Sequence, residues 1–381
     1  MKKNILLLVC SIFFASLFAS ASFAADSIKE SPKIKIIIDG KVNKYSKAPI
    51  NYKGRTMLPF REVSVNLGVK NDNDHIAWNG NDRSIALKKD DVNVSLKIGS
   101  NKATVNSVEQ TLDVEPVLYN GNTYIPARFV SQAFGKKVVW DQASNSVMIR
   151  EEEEFNKVKS ILEKSNEATK DAKTMKCSYT ADMNMTIVGQ KSNVKMSGDM
   201  EMDVKNFIMH MTSTVNMLGM SLPTEQYMAD NKVYTKDPMS GSWIYQEMDM
   251  EQFQKQLSQQ ASIELSDKMY AGLTVDDSSK DEIILKGNIY MDSLMSQLGD
   301  NVKGTGIEYN SVYMEMSLDK TTYVPKSAKM DMSITMNQTI EGSTQKIDAD
   351  MKMEMKYTDF NGDYEIKVPD EVISTAKKAE L

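Results

Sequence analysis

Six segments of this chain place methionine or another apolar residue at every second position, and that alternation limits the fold more than any other feature. In Cys177, Tyr179, Ala181, Met183, Met185 and Ile187 the odd positions are apolar, whereas Ser178, Thr180, Asp182, Asn184 and Thr186 are polar. Successive side chains on an extended strand point to opposite faces, so the pattern predicts a half-buried β-strand. The same reading applies to Val194 to Val204 with Met196, Met200 and Met202, and to Phe207 to Met217 with Met209 and Met211. It returns in Val312 to Leu318 with Met314 and Met316, in Ala328 to Met336 with Met330 and Met332, and in Ile347 to Tyr357 with Met351, Met353 and Met355. Of the 28 methionines, 25 lie from Met175 onward, and sixteen fall on the inner side of these six strands. The alternate positions carry Lys, Asp, Glu, Ser and Thr, so one side of an antiparallel sheet meets water.

Between the strand groups the period becomes helical. Met250 to Leu273 repeats Phe253, Leu257, Ala261, Leu265, Met269 and Leu273, and Ile289 to Leu298 carries Ile289, Leu294, Met295 and Leu298. An earlier helix opens on the acidic run Glu151 to Glu154, which suits the positive end of a helix dipole, and sets Phe155, Val158, Ile161 and Leu162 on one face, with Ala168 and Ala172 beyond them. Strands first, helices in the middle and strands last predict an α+β domain over residues 151–381, a curved antiparallel half-barrel sheet wrapping a helical plug.

The first half is built differently. Tyr52-Lys53-Gly54-Arg55-Thr56-Met57-Leu58-Pro59-Phe60-Arg61 lines up with Tyr119-Asn120-Gly121-Asn122-Thr123-Tyr124-Ile125-Pro126-Ala127-Arg128. The match runs back to Pro49 and Pro116, forward through Val63 and Val130 to Gly68 and Gly135, and resumes with Trp78 on Trp140 and Ile85 on Val147. We read a duplicated unit of β-hairpin, helix and strand over residues 34–150, with repeats at 34–88 and 100–150. Lys53-Gly54 and Asn120-Gly121 supply hairpin turns, short helices over Glu62 to Leu67 and Phe129 to Phe134 follow, and Gly68 and Gly135 end them in a left-handed cap. Arg61 and Arg128 recur at one place. Either they bind an anion, or each locks its hairpin to its helix through an acidic side chain or backbone carbonyls, which needs no ligand.

These residues resemble the copper amine oxidase N-terminal-like domain, a stalk module of exported proteins in Gram-positive bacteria. The likeness covers Ile34 to Arg150 and rests on Tyr-x-Gly-x-Thr-x-x-Pro-x-Arg, the Gly after the helix, the Trp and the closing Asn145 to Ile149. It implies a non-catalytic mixed α/β module used for spacing or for attachment to a cell-wall component. Amine oxidase chemistry itself needs three His ligands for copper, and the chain has only His75 and His210. The second half resembles the LolA-type lipoprotein-carrier fold, and more closely a domain of unassigned function that accompanies stalk repeats. That likeness rests on the lead helix, the Met-alternating strands, Trp243-Ile244-Tyr245, the helical middle, and a closing strand Tyr364 to Val368 before Pro369-Asp370-Glu371-Val372. It implies a half-barrel that holds lipid or acyl chains.

The chain opens like a secretory signal peptide, residues 1–24: Lys2 and Lys3, an apolar stretch from Ile5 to Ala19, and Ser22-Phe23-Ala24 as a small-x-small cleavage site. The apolar stretch is shorter than the roughly 20 residues of a membrane span, and Cys10 lies inside it after Val9, where lipid attachment would ask for a small residue. We therefore expect a secreted or envelope-associated product with no transmembrane segment in the mature chain. Cys177 is then its single thiol. The formal charge of −6 becomes two units more negative without Lys2 and Lys3, and no basic block points to nucleic acid.

Three readings fit the methionine face formed by Met183, Met185, Met196, Met200, Met202, Met209, Met211, Met314, Met316, Met330, Met332, Met351, Met353 and Met355. It is a plain core, or a pliable lining for an apolar ligand, since methionine is flexible and packs adaptably. Alternatively it binds Cu(I), because thioethers are soft ligands and Met-x-Met puts two sulfurs on one face. Against copper, His210 points away from Met209 and Met211, and Cys177 has no sequence neighbour that completes a mixed cluster. His75 in its Asn-Asp loop and a solvent-facing His210 have no catalytic partner in the sequence, and Asp72 and Asp74 lack the Gly and Glu of a calcium loop. With no nucleophile and base, phosphate loop or metal motif, we expect no enzyme and no cofactor.

Overall fold

The computed structural model describes residues 28–141, 144–187, 190–248, 267–289, 307–340 and 343–379. The leader, all but the end of the helix expected over Met250 to Leu273, and all but Ile289 of the second expected helix lie outside the described residues. Two compact units are present, one combining the described part of Met1–Pro32 with Tyr45–Val130, the other combining Lys33–Lys44 with Ser131–Leu381.

In the first half the strands run β1 (Lys29–Glu30), β2 (Lys35–Ile38), β3 (Lys41–Asn43), β4 (Ile50–Tyr52) and β5 (Arg55–Pro59), and helix α1 (Phe60–Asn66) follows. Strands β6 (Ile76–Asn79), β7 (Ser84–Lys89), β8 (Val92–Lys97), β9 (Lys102–Val105) and β10 (Val108–Thr111) come next. Strands β11 (Val117–Tyr119) and β12 (Asn122–Pro126), helix α2 (Ala127–Ala133), and strands β13 (Lys136–Asp141) and β14 (Ser146–Glu151) complete it. The first unit holds two five-stranded sheets, ordered β1-β4-β5-β12-β11 and β10-β9-β8-β7-β6. In the former, Ile50, Met57, Val114, Val117 and Tyr124 form a buried cluster.

The two aligned decapeptides share one local solution. Lys53-Gly54 and Asn120-Gly121 all have positive φ, which is the turn that matches the twist of a two-residue hairpin. The hairpins β4-β5 and β11-β12 lead into α1 and α2, and Gly68 and Gly135 adopt positive φ just past each helix. Arg61 donates to the Asn71 side chain at 3.3 Å and to the Ile76 carbonyl at 3.4 Å, which is the locking role; Arg128 is exposed.

The second unit begins with a four-stranded sheet, β13-β14-β2-β3, in which β2 runs parallel to β14. Helix α3 (Glu152–Thr169) follows β14 directly and buries Phe155, Val158, Ile161, Leu162 and Ser165, while Ala168 stays exposed. A 12-stranded sheet then curls into a half-barrel. Its long strands are β15 (Thr174–Ile187), β16 (Gln190–Asp203), β17 (Ile208–Met217) and β18 (Met220–Ala229), with short β19 (Lys232–Lys236) and β20 (Trp243–Glu247). After helix α4 (Asp267–Gly272) come β21 (Leu273–Asp276), β22 (Glu282–Asn288), β23 (Ile307–Asp319), β24 (Pro325–Ile340) and β25 (Ser343–Phe360). Helix α5 (Asp370–Thr375) and β26 (Lys377–Lys378) end the described chain. The spatial order β21-β22-β23-β24-β25-β15-β16-β17-β18-β19-β20-β26 places the last long strand beside the first. The structure is mostly β, and the α+β class fits it broadly.

One core cluster organises this unit. Phe155, Val158, Ile161 and Leu162 of α3 meet Leu273, Leu285, Met314 and Leu318 of the sheet, together with Ile37, Val139 and Met148 from β2, β13 and β14. Polar anchors support the same contact. The buried Arg150 guanidinium donates to the carbonyls of Ala271, at 3.1 Å, and Leu273, so a charge with only 4% of its surface exposed is bonded. Lys136, equally buried, pairs with Asp39 at 2.9 Å and Glu151 at 2.7 Å. Burial alone would push its ammonium down, but these two carboxylates raise it above the ordinary lysine range.

Three expectations change. Phe207, expected on the inner face of the third strand, lies in the turn before β17 at positive φ, because the chain reverses there through Asp203 to Asn206 bonds. Tyr364 to Val368 pairs with no strand among the described residues; Ile366 and Val368 anchor that segment by side-chain burial instead. Strands β18 to β22 extend the sheet on both sides of the six predicted strands.

Candidate functional site

Cross-strand partners project to the same side of a sheet, so register decides whether the methionines share a face. Met314, Met330 and Met353 are successive partners across β23, β24 and β25. In the next row Met332, Met351 and Met183 follow one another across β24, β25 and β15. Met200 faces Met211 and Met202 faces Met209 across β16 and β17. The rest join the same rows: Met196 faces Ala181, Met185 faces Ala349, Met355 faces Tyr179 and Ala328, and Met316 faces Leu285 and Ala328. All fourteen positions therefore lie on one face.

Their environments divide. Met314, 6% exposed, belongs to the core under α3, with Met316 packed against it. The other thirteen, Met316 included, are half-buried. Met217, opposite Val194, and Met336, opposite Ile347, complete the sixteen read from sequence, and three further methionines join the face: Met175 opposite Met202, Met228 opposite Met209, and Met220 opposite Met217. Met228 is buried. The alternation of β18 is broken by Pro223 and the polar run Thr224 to Gln226, which hides Met228 from a periodicity argument. At Gly198, also on this face, an added Cβ would collide with the Thr212 backbone, so glycine is what lets β16 and β17 approach closely there.

The opposite face is polar. Lys352 sits between Asp182 and Asp331, Lys329 between Glu315 and Glu354, and Lys195 reaches Asp182 at 3.6 Å. Two open grooves of about 640 and 700 Å³ lie here. One is lined mainly by the charged side chains just named, and the other by Ser178, Thr180, Ser197, Thr212 and Thr214.

His210 lies on this polar side, away from Met209 and Met211 as expected, but it is neither solvent-facing nor alone. It is half-buried, stacks on Tyr227 at 4.3 Å between ring centroids, and places Nε2 3.2 Å from Glu225. The cause is cover that the sequence does not announce: Tyr227, Ala229, Tyr234, Val368 and Val372 form a second buried cluster beneath α5. Burial pushes the Glu225 carboxyl up, but bonds from Tyr227 and His210 outweigh it and hold it below the usual range. Burial and the neighbouring Glu225 push the Tyr227 hydroxyl up to about 12. His75 is likewise partnered, with Nδ1 2.6 Å from Asp72, which also accepts the backbone N–H groups of Asp74 and His75. These contacts organise a loop and a sheet end. Among the described residues, no three His, Cys, Asp or Glu side chains are grouped to hold a metal ion, and no helix is long and apolar enough to cross a membrane.

Comparison with known proteins adds relatives for each half. Residues 37–149 match the copper amine oxidase N-terminal domain, and residues 157–377 match a family of unknown function, DUF6612. A protease inhibitor from Brevibacillus choshinensis is 29% identical over 82 residues, which cover 22% of this chain and 24% of that protein. The chain thus spans about a quarter of that curated relative. Among solved structures, lipovitellin, studied for its lipid–protein interactions, aligns with a TM-score of 0.25 and 6% identity over 52% of this chain and 28% of its own. A DUF1329 family protein from Desulfovibrio piger gives 0.20 and 8% over 56% of this chain and 95% of its own. An outer membrane lipoprotein-sorting protein domain from Vibrio parahaemolyticus gives 0.17 and 8% over 56% and 94%. Scores this low carry no argument about function. The match over residues 157–377 takes in more than half of the chain, and the protein belongs to the family of unknown function DUF6612.

Proposed function

We propose that this is an exported, non-enzymatic envelope protein whose half-barrel holds a lipid or another apolar molecule against its methionine face. The observation that carries the reading is the combination of continuity and incomplete burial. Methionine rows run in register through six strands, yet thirteen of the fourteen side chains first singled out remain half-buried. A sealed core would bury them, as it buries Met314 under α3. Methionine has three rotatable bonds and a polarisable sulfur, so such a face adapts to chains of varied shape. Among the described residues, helix α3 occupies the β21 to β23 end, so the ligand is assigned to β24, β25 and β15 to β17.

The leader-like start from Lys2 to Ala24 supports export. The paired Tyr-x-Gly-x-Thr-x-x-Pro-x-Arg segments support a duplicated spacing or attachment module that touches a cell-wall component. The combination also fits a Gram-positive envelope. A second reading, a half-barrel filled only by its own chain, is favoured at one place, where Met314 and Met316 serve the α3 core.

Titration of the full chain with a fluorescent fatty acid tests the ligand. We expect saturable binding that falls at least about tenfold in a Met332→Lys, Met351→Lys variant, since a charge at the centre of an apolar site is uncompensated. The Met332→Leu, Met351→Leu variant keeps shape and apolarity and should bind like the parent. Absence of saturable binding, or equal binding in the Lys variant with its fold intact by circular dichroism, refutes the proposal.

A further inference from the structure

Register brings to one corner of the methionine face a set of sulfurs that are far apart in sequence. Cys177 on β15 faces Met200 on β16, which faces Met211 on β17. In the adjacent row Met175 faces Met202, then Met209, then Met228. Partners across strands have Cβ atoms about 4.5–5.5 Å apart, and neighbours two residues apart along a strand are separated by about 6.5–7 Å. Cys177 and Met228 are buried, at 2% and 4% exposure, and Cys177 has no disulfide partner. Burial pushes its thiol up, so without a cation beside it the group stays protonated.

We infer that the corner formed by Cys177, Met200, Met202, Met209 and Met211 is a binding site for a soft monovalent cation, Cu(I) or Ag(I). The chemistry follows from the donor set. Thioether and thiolate sulfurs select Cu(I) over hard cations, and among the described residues the strand neighbours Asp199, Glu201 and His210 belong to the other face. Cu(I) binding would displace the Cys177 proton to solvent and leave a thiolate on the metal. The rotatable methionine side chains let several sulfurs turn toward one ion from adjacent strand positions. The similar array Met330, Met332, Met351 and Met353 lacks a thiol, so it is the weaker candidate.

The test is an anaerobic titration of the full chain against Cu(I) held by a coloured chelator, with X-ray absorption on the loaded protein. We expect about one equivalent to be withdrawn into an all-sulfur environment. Cys177→Ser should weaken binding at least tenfold, and the quadruple variant M200L, M202L, M209L, M211L should abolish it. The control M330L, M332L, M351L, M353L should bind as the parent does. Leucine preserves the apolar face, so circular dichroism should show both quadruple variants folded, and loss of Cu(I) withdrawal in the first but not in the second assigns the metal to this corner. No withdrawal of Cu(I), nitrogen or oxygen ligation, or unchanged affinity in the Cys177 and M200L-containing variants overturns the inference.

Discussion

Replacing Phe155 by Ala is expected to destabilise the second unit by about 3–5 kcal/mol, the range for removing a buried aromatic ring that its surroundings cannot refill. Phe155 is 2% exposed and sits in the cluster that joins α3 to Leu273, Leu285 and Leu318 of the sheet and to Val139 and Met148 of β13 and β14. Its ring meets Tyr270 edge-on at 5.7 Å, and Lys137 Nζ lies 5.1 Å from its centroid, so the alanine variant loses directional contacts as well as area. Neighbours held in strands cannot collapse into the space without disturbing the ladders. The measurement is the urea midpoint of the parent and of F155A. A control, Glu163→Ala on the exposed side of α3, should stay within about 0.5 kcal/mol of the parent. A loss below about 1 kcal/mol for F155A would mean that α3 does not organise this core.

A fragment made from residue 151 onward is expected to lose cooperative folding altogether. It would keep Phe155 and the sheet but lack Ile37, Val139 and Met148, which close the same cluster. It would also lack Arg150, the donor to Ala271 and Leu273, leaving two interior carbonyls to find water, at roughly 1–3 kcal/mol each. Lys268 would lose the fully buried Asp141 that pairs with it at 3.1 Å, and Glu151 would lose Lys136. Against a total stability on the order of 5–15 kcal/mol, losses on this scale are decisive. Near-ultraviolet circular dichroism and a urea titration of the fragment beside the full chain provide the check. A sharp transition with the parent's midpoint would show that β2, β3, β13 and β14 are dispensable for this unit.

What was legible in the sequence follows from which forces act locally. Strict alternation marks a strand with one wet face, so the six Met-rich strands were visible, and a shared face follows wherever register is regular. The hairpin turns at Lys53-Gly54 and Asn120-Gly121 were visible because positive φ selects a few residue types. The face of α3 was visible through its spacing. By contrast, β18 to β22 are short or mixed in character and are placed by partners distant in the chain. The partners of His210 could not be read, because Glu225 and Tyr227 arrive from one distant segment and the cover from Val368 and Val372 from another. The match of Trp140 with Trp78 speaks for a repeated hairpin but not for the core that the hairpin enters, and Val139 and Met148 enter the one beneath α3. Cys177 looked isolated for the same reason, since its sulfur neighbours are cross-strand rather than sequential.

Occupancy of the methionine face by an apolar molecule is tested most directly by native mass spectrometry of the full chain, purified without detergent. The expected spectrum shows a species heavier than the polypeptide by the mass of one or a few acyl-chain molecules. That excess should disappear after extraction with organic solvent and be recovered in the extract. A spectrum of the bare polypeptide alone, with an extract free of lipid and no mass gained on incubation with fatty acid, would contradict it.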